Sequence, residues 1–109
     1  MKGQSILVIK LGALGDFIQA LGAMRAIRRH HPLDRIVLMT SAPFESLGRM
    51  CGYFDAVMVD SRPRWSDFRG WMALRRQLLA ERFARVYDLQ NNDRTAFYLR
   101  LFGFFPPQW

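Results

Sequence analysis

The sequence is short of cysteine, of acids and of long apolar runs, and each shortage closes off a class of function. Cys51 is the single cysteine among 109 residues. One thiol builds neither a disulfide framework nor a cysteine zinc site. It reads as a small, half-buried side chain that needs no oxidising compartment. The apolar stretch after Lys2 runs only from Ile6 to Ile9 before Lys10 interrupts it. A secretory core needs about 7–15 apolar residues and a membrane span about 20, so neither is expected here and the chain reads as cytoplasmic. Acids number 9 against 16 Lys plus Arg, giving a net charge of +7. Lys2 and Lys10 are the only lysines, so the basic character is almost wholly arginine. Such a surface favours anionic partners, whether phosphates, nucleic acid or an anionic membrane, and charge alone does not choose among them.

What is present is an apolar half and 14% aromatic residues, enough for a core in one small domain. There is no low-complexity segment, linker or repeat. An α/β rhythm runs along the chain instead. Ser5 to Lys10, Arg35 to Thr40, Ala56 to Asp60 and Arg85 to Gln90 are short runs rich in Ile, Val and Met, the pattern of strands buried on both faces. Between them, Asp16 to His30 places Phe17, Leu21, Met24 and Ile27 on one helical face, with arginines in its last turns and Pro32 beyond. Ser41 as cap and Pro43 in a first turn predict a short helix over Ala42 to Met50, closed by Gly52. Ser66 and Asp67 open a longer helix to about Phe83, and Asp93 to Phe102 reads as a further one. Strands alternating with helices predict an α/β, Rossmann-like parallel sheet with flanking helices and right-handed crossovers. Ligands of such sheets bind at the carboxyl ends of the strands. The loops expected there are Gly12 to Asp16, Ser61 to Arg64 and Asp88 to Asn92.

Each loop admits two readings. Small residues in Lys10-Leu11-Gly12-Ala13-Leu14-Gly15-Asp16 let backbone approach a ligand at a helix start. The run lacks the Gly-Lys-Ser/Thr of a Walker loop and the third glycine of the dinucleotide fingerprint. Asp16 is either a helix cap or a catalytic base. Arg62 and Arg64, stiffened by Pro63 beside Trp65, suit phosphates or carboxylates; a solvated basic loop is the plain alternative. The helix after them, with Phe68, Trp71 and Met72 among arginines, is core on one face, with a membrane-surface role as the other possibility. Gln90, Asn91 and Asn92 offer amides to sugar hydroxyls, or serve turn and cap chemistry. No Asp-x-Asp metal pair occurs in these loops, and His30 and His31 read as surface residues.

Ile6-Leu7-Val8-Ile9-Lys10-Leu11-Gly12-Ala13-Leu14-Gly15-Asp16, followed by a helix ending near Arg28-Arg29-His30-His31-Pro32, resembles the opening of glycosyltransferase family 9, which holds the ADP-heptose:lipopolysaccharide heptosyltransferases. Arg85-Val86-Tyr87-Asp88-Leu89-Gln90 resembles a second segment of that family. The resemblance covers essentially all of the chain. It implies the amino-terminal half of a GT-B architecture, in which two Rossmann-like domains face a cleft, so that residues 1–109 form an acceptor-side domain and the donor-binding domain lies outside them. It implies Asp16 as general base, with acceptor contacts from Lys10, Gly12, Ala13, Gly15, Arg62, Arg64 and Gln90. It also implies an inverting transfer of heptose or a related sugar from a nucleotide-sugar, ADP-linked, to a lipopolysaccharide core or lipid-linked acceptor. No metal or resident cofactor is implied. The partners would be an anionic glycolipid or sugar acceptor, with peripheral attachment at the cytoplasmic face of the inner membrane and no nucleic acid. Many members carry Ser or Thr where this chain has Gly12 and Ala13, so hydroxyl contacts to the acceptor are missing there. The chain alone is expected to be inactive. The competing reading is a stand-alone basic α/β module for nucleotide or nucleic acid, against which stands the lack of an aromatic–basic stacking motif. A domain that keeps the fold without activity is a third.

Overall fold

The computed structural model describes residues 4–12, 14–60, 64–80, 82–90, 95 and 98. Strands β1 (Ser5–Ile9), β2 (Arg35–Thr40), β3 (Ala56–Val59) and β4 (Arg85–Asp88) form one sheet in the order β3-β2-β1-β4. All three pairings are parallel, with Leu7 opposite Val37 and Val86, and Met39 opposite Met58. The expected Rossmann-like α/β sheet is what the chain adopts. Two crossovers step outward from β1 to β3, and the chain then returns to the other side of β1. That reversal opens a crevice beyond the carboxyl ends of β1 and β4.

Alternation along the strands builds two cores. Ile6, Val8, Ile36 and Leu38 face α1 (Leu14–His30) and α2 (Glu45–Met50), where Phe17, Met24 and Ile27 close the layer. Leu7, Ile9, Val37, Met39 and Val86 face α3 (Phe68–Ala80), which buries Leu74 and Leu78. β1 and β2 are covered on both sides, which is why they read as continuous apolar runs.

The bounds of all three helices depart from the sequence expectations. α1 begins at Leu14, two residues earlier than expected, so Asp16 sits within its first turn. The cap assignment for Asp16 is therefore corrected: a cap lies outside the helical residues. Ser41 precedes a 3-10 turn over Ala42–Phe44 and makes no side-chain cap bond; α2 proper starts at Glu45. Asp67 does cap α3, accepting the Gly70 N–H at 3.0 Å. α3 ends at Ala80 because Arg82 takes a left-handed φ of 50°, a conformation that stops a helix, while Phe83 beyond it is still buried.

His31 is also corrected from a surface residue. It is largely buried, with Nδ1 2.8 Å from Asp34 Oδ2 and Nε2 2.9 Å from the Tyr87 hydroxyl. Arg28 donates to the carbonyls of His31 and Asp34 at 2.5 and 2.8 Å and to Asp55 at 3.1 Å. This network ties the end of α1 to the amino-terminal edge of the sheet. The helix expected over 93–102 lies mostly outside the described residues; Thr95 and Tyr98 within it are helical and fully buried.

Candidate active site at the carboxyl edge of the sheet

β1 runs out at Ile9, and the chain continues along the carboxyl edge through Lys10, Leu11 and Gly12. Parallel neighbours hold this exit in place. The Lys10 N–H donates to Met39 O and the Leu89 N–H to Ile9 O, each at 3.0 Å. Lys10 is buried, an unusual place for an ammonium, and its Nζ lies 3.5 Å from Leu89 O. Gln90 closes the arrangement. Its Oε1 accepts the Leu11 N–H at 3.0 Å and the Gly12 N–H at 3.4 Å. Its own N–H donates to Asp88 Oδ1 at 3.1 Å. So the Gln90 side-chain oxygen holds the first loop, where the sequence suggested an amide for sugar hydroxyls.

Gly12 has a φ of 150°, a backbone conformation that side-chain-bearing residues rarely adopt, and a Cβ there would stand 2.7 Å from Phe44 Cε2. Phe44 in turn stacks on Phe17, with ring centroids 5.6 Å apart. The glycine is thus required by both backbone and neighbour. After it the chain enters α1, and Gly15 and Asp16 lie exposed in the first turn. A carboxylate there faces the positive end of the helix.

The structure brings Gly12 into direct contact with Gln90 and sets Lys10 against the neighbouring Leu89 carbonyl, with Gly15 and Asp16 following on α1. Arg64 is exposed and belongs to the turn between β3 and α3, where its carbonyl accepts the Trp71 indole N–H at 2.9 Å. β3 is separated from β1 by β2, so Arg64 is attached to the far side of the edge. Ala13 and Arg62, with Ser61, Pro63 and 91–94, lie outside the described residues.

Two polar groups at this edge had no role in the sequence reading. Asp60, just past β3, is buried and accepts the Tyr98 hydroxyl at 2.6 Å. An acid directly after Val57-Met58-Val59 was the available signal, but its partner is 38 residues away. Thr40, the last residue of β2, is fully buried, and its Oγ1 has no hydrogen-bond partner among the described residues. Among the described residues no three His, Cys, Asp or Glu side chains gather where they could hold a metal ion. No helix among them is long and apolar enough to cross a membrane.

No family model matches the chain. A Haemophilus influenzae protein named "Putative glycosyltransferase" is 29% identical over 92 residues, which is 84% of this chain and 26% of that protein. The crystal structure of the glycosyl transferase family 9 from Veillonella parvula superposes with a TM-score of 0.78 at 20% identity. That match covers 92% of this chain and 29% of the other. The chain thus spans between a quarter and a third of the proteins it matches. Its fold is that of a glycosyltransferase family 9 structure over nearly all its length, and the resemblance carried by Ile6–Asp16 and Arg85–Gln90 is borne out.

Proposed function

We propose that this chain is the acceptor-side domain of an inverting glycosyltransferase in which Asp16 is the general base. One observation carries the reading: an exposed carboxylate stands in the first turn of α1, directly after a loop pinned at the switch crevice of a parallel sheet. Asp16 takes the proton of the acceptor hydroxyl as that oxygen attacks the anomeric carbon. The bond from that carbon to the nucleotide diphosphate breaks on the opposite face, so the configuration inverts. The donor is a nucleotide-sugar, ADP-linked, carrying heptose or a related sugar. The acceptor is an anionic lipopolysaccharide core or lipid-linked sugar, met in the cytoplasm at the inner membrane.

Lys10, Gly12, Ala13, Gly15 and Gln90 shape the acceptor side, with Arg62 and Arg64 as cationic contacts for its anionic groups. Gln90 does so as a positioning residue, through the backbone of Leu11 and Gly12. A second Rossmann-like domain of a GT-B pair brings the donor, in keeping with the greater length of both relatives. Residues 1–109 alone therefore transfer no sugar. The test is a chimera in which this chain replaces the matching segment of the Haemophilus influenzae protein. Asp16→Asn in that chimera lowers kcat by at least about 100-fold, with donor affinity and melting temperature nearly unchanged. Near-normal turnover of Asp16→Asn sinks the assignment. Transfer by residues 1–109 alone would remove the need for a second domain.

A further inference from the structure

We propose that the outward face of α3, together with the Trp65 turn leading into it, docks on an anionic lipid surface. α3 carries Arg69, Arg75 and Arg76 and no acid in its 13 residues. Leu74 and Leu78 point into the core, and at about 100° per residue Arg69 and Arg76 fall opposite them. Beside these arginines the face is apolar: Phe68 is 75% exposed and Met72 36%, with Trp65 at 63% one turn ahead. Phe68, Arg69, Met72 and Arg76 line one open depression. A single exposed apolar side chain needs no explanation. Three of them within about two turns, set among cations, make the pattern of an interfacial helix.

The apolar end is fixed rather than loose. Trp65 stacks on Trp71 at 5.1 Å, and the Trp71 indole is anchored to the Arg64 carbonyl. Asp67, the nearest acid, is occupied as the helix cap. Among the described residues Arg69, Arg75 and Arg76 make no ion pair or side-chain hydrogen bond. Their charge, within a chain of net +7, complements a negative headgroup layer. Shape favours lipid over nucleic acid. A helix presented side-on is convex and meets a plane, whereas single strands bind in grooves lined by open ring faces, and one face of Trp65 is already taken by Trp71. The start of α3 follows β3 at the carboxyl edge, so a docked molecule holds its Gly12 loop edge near the bilayer. The proposal stands whether or not the chain transfers sugar.

The test is co-sedimentation of the 109-residue chain with phosphatidylcholine vesicles, with and without phosphatidylglycerol, and tryptophan fluorescence alongside. Binding is expected only with phosphatidylglycerol, weaker at high salt, with a blue-shifted emission. Arg69→Gln with Arg76→Gln should weaken it about 25-fold, at about fivefold per charge. Phe68→Ser with Met72→Ser should weaken it about tenfold or more. All four side chains are exposed, so unchanged melting curves are expected. Arg25→Gln with Arg29→Gln removes the same charge from α1, on the other face of the sheet, and should change binding little. Equal binding to neutral vesicles overturns the proposal, as does an α1 variant as weak as the α3 variant. Tighter binding to a single-stranded RNA oligonucleotide than to the anionic vesicles overturns it too.

Discussion

Gln90→Met separates a glutamine that holds the loop from one that waits for a ligand. Methionine keeps nearly the same stem volume, so packing changes little. What disappears is the acceptor shared by the Leu11 and Gly12 N–H groups. Leu11 is only 5% exposed, so water does not readily replace that acceptor, and a buried donor left alone costs about 1–3 kcal/mol. The Gly12 bond is long at 3.4 Å and the residue half-buried, so it adds little. The expected loss is about 1–3 kcal/mol, a large part of the stability of a small domain. It should lower Tm by about 4–8 °C for each kcal/mol. Urea denaturation of the 109-residue chain measures the loss, and hydrogen exchange locates it: the Leu11 amide should lose protection while β2 amides keep theirs relative to global unfolding. Gln90→Glu retains an acceptor and should keep most of the stability at neutral pH. If Gln90→Met melts like the parent and the Leu11 amide stays protected, the latch is not what holds this loop.

Other outcomes follow from single contacts. Gly12→Ala forces an unfavourable φ and a 2.7 Å approach to Phe44; a loss of about 1–3 kcal/mol in thermal melts is expected, and an unchanged Tm would contradict it. Thr40→Val removes a buried hydroxyl without a described partner and should stabilise by about 1 kcal/mol, whereas a destabilised variant would mean that Oγ1 is satisfied. The Ile36 N–H, the largest influence, holds the Asp55 carboxyl below the ordinary aspartate range; burial opposes it, and Arg28 and Arg35 add to the lowering. The folded state then binds fewer protons than the unfolded one, so this stability is present above about pH 4 and is lost as pH falls further. Asp55→Asn should flatten the acid limb slightly, since the side chain is nearly half exposed; an unchanged slope of stability between about pH 5 and pH 3 would remove the linkage.

The parallel sheet was legible because β1 and β2 are buried on both faces, and such strands show as unbroken apolar runs. The start of α1 was not, because an acid is rewarded both as a cap and within the first turn, and Asp16 fits either description in one dimension. The end of α3 was missed for a related reason. Phe83 continues the apolar pattern, and only the left-handed φ of Arg82, at a residue type that rarely signals it, breaks the helix. Gln90 and His31 show where local reading runs out. Their partners lie 79 and 56 residues away, and nothing in a residue's neighbours in sequence tells a latch from a ligand or a surface imidazole from a buried one.

The corrected start of α1 sharpens the case for Asp16. Were Asp16 the cap, Asp16→Ala would cost about 1 kcal/mol, and lost activity could be blamed on a frayed helix. Inside the first turn it makes no capping bond, so Asp16→Asn and Asp16→Ala should have nearly the same stability as each other, both losing only the dipole contribution of about 0.3–1 kcal/mol along with the proton-accepting capacity. Its backbone is held from both sides. Phe17, the next residue, is fully buried and stacked on Phe44. The same Phe44 ring fixes the path of Gly12, and Gln90 fixes the N–H groups before the helix. An exposed carboxylate on a backbone pinned at these points is free to meet an acceptor yet limited in where it reaches, as positioning a base demands. Loosening either support, by Phe17→Leu or Gln90→Met, should therefore lower turnover in the chimera while the carboxylate itself remains, and full activity in both would mean that the rigidity of this edge serves the fold alone.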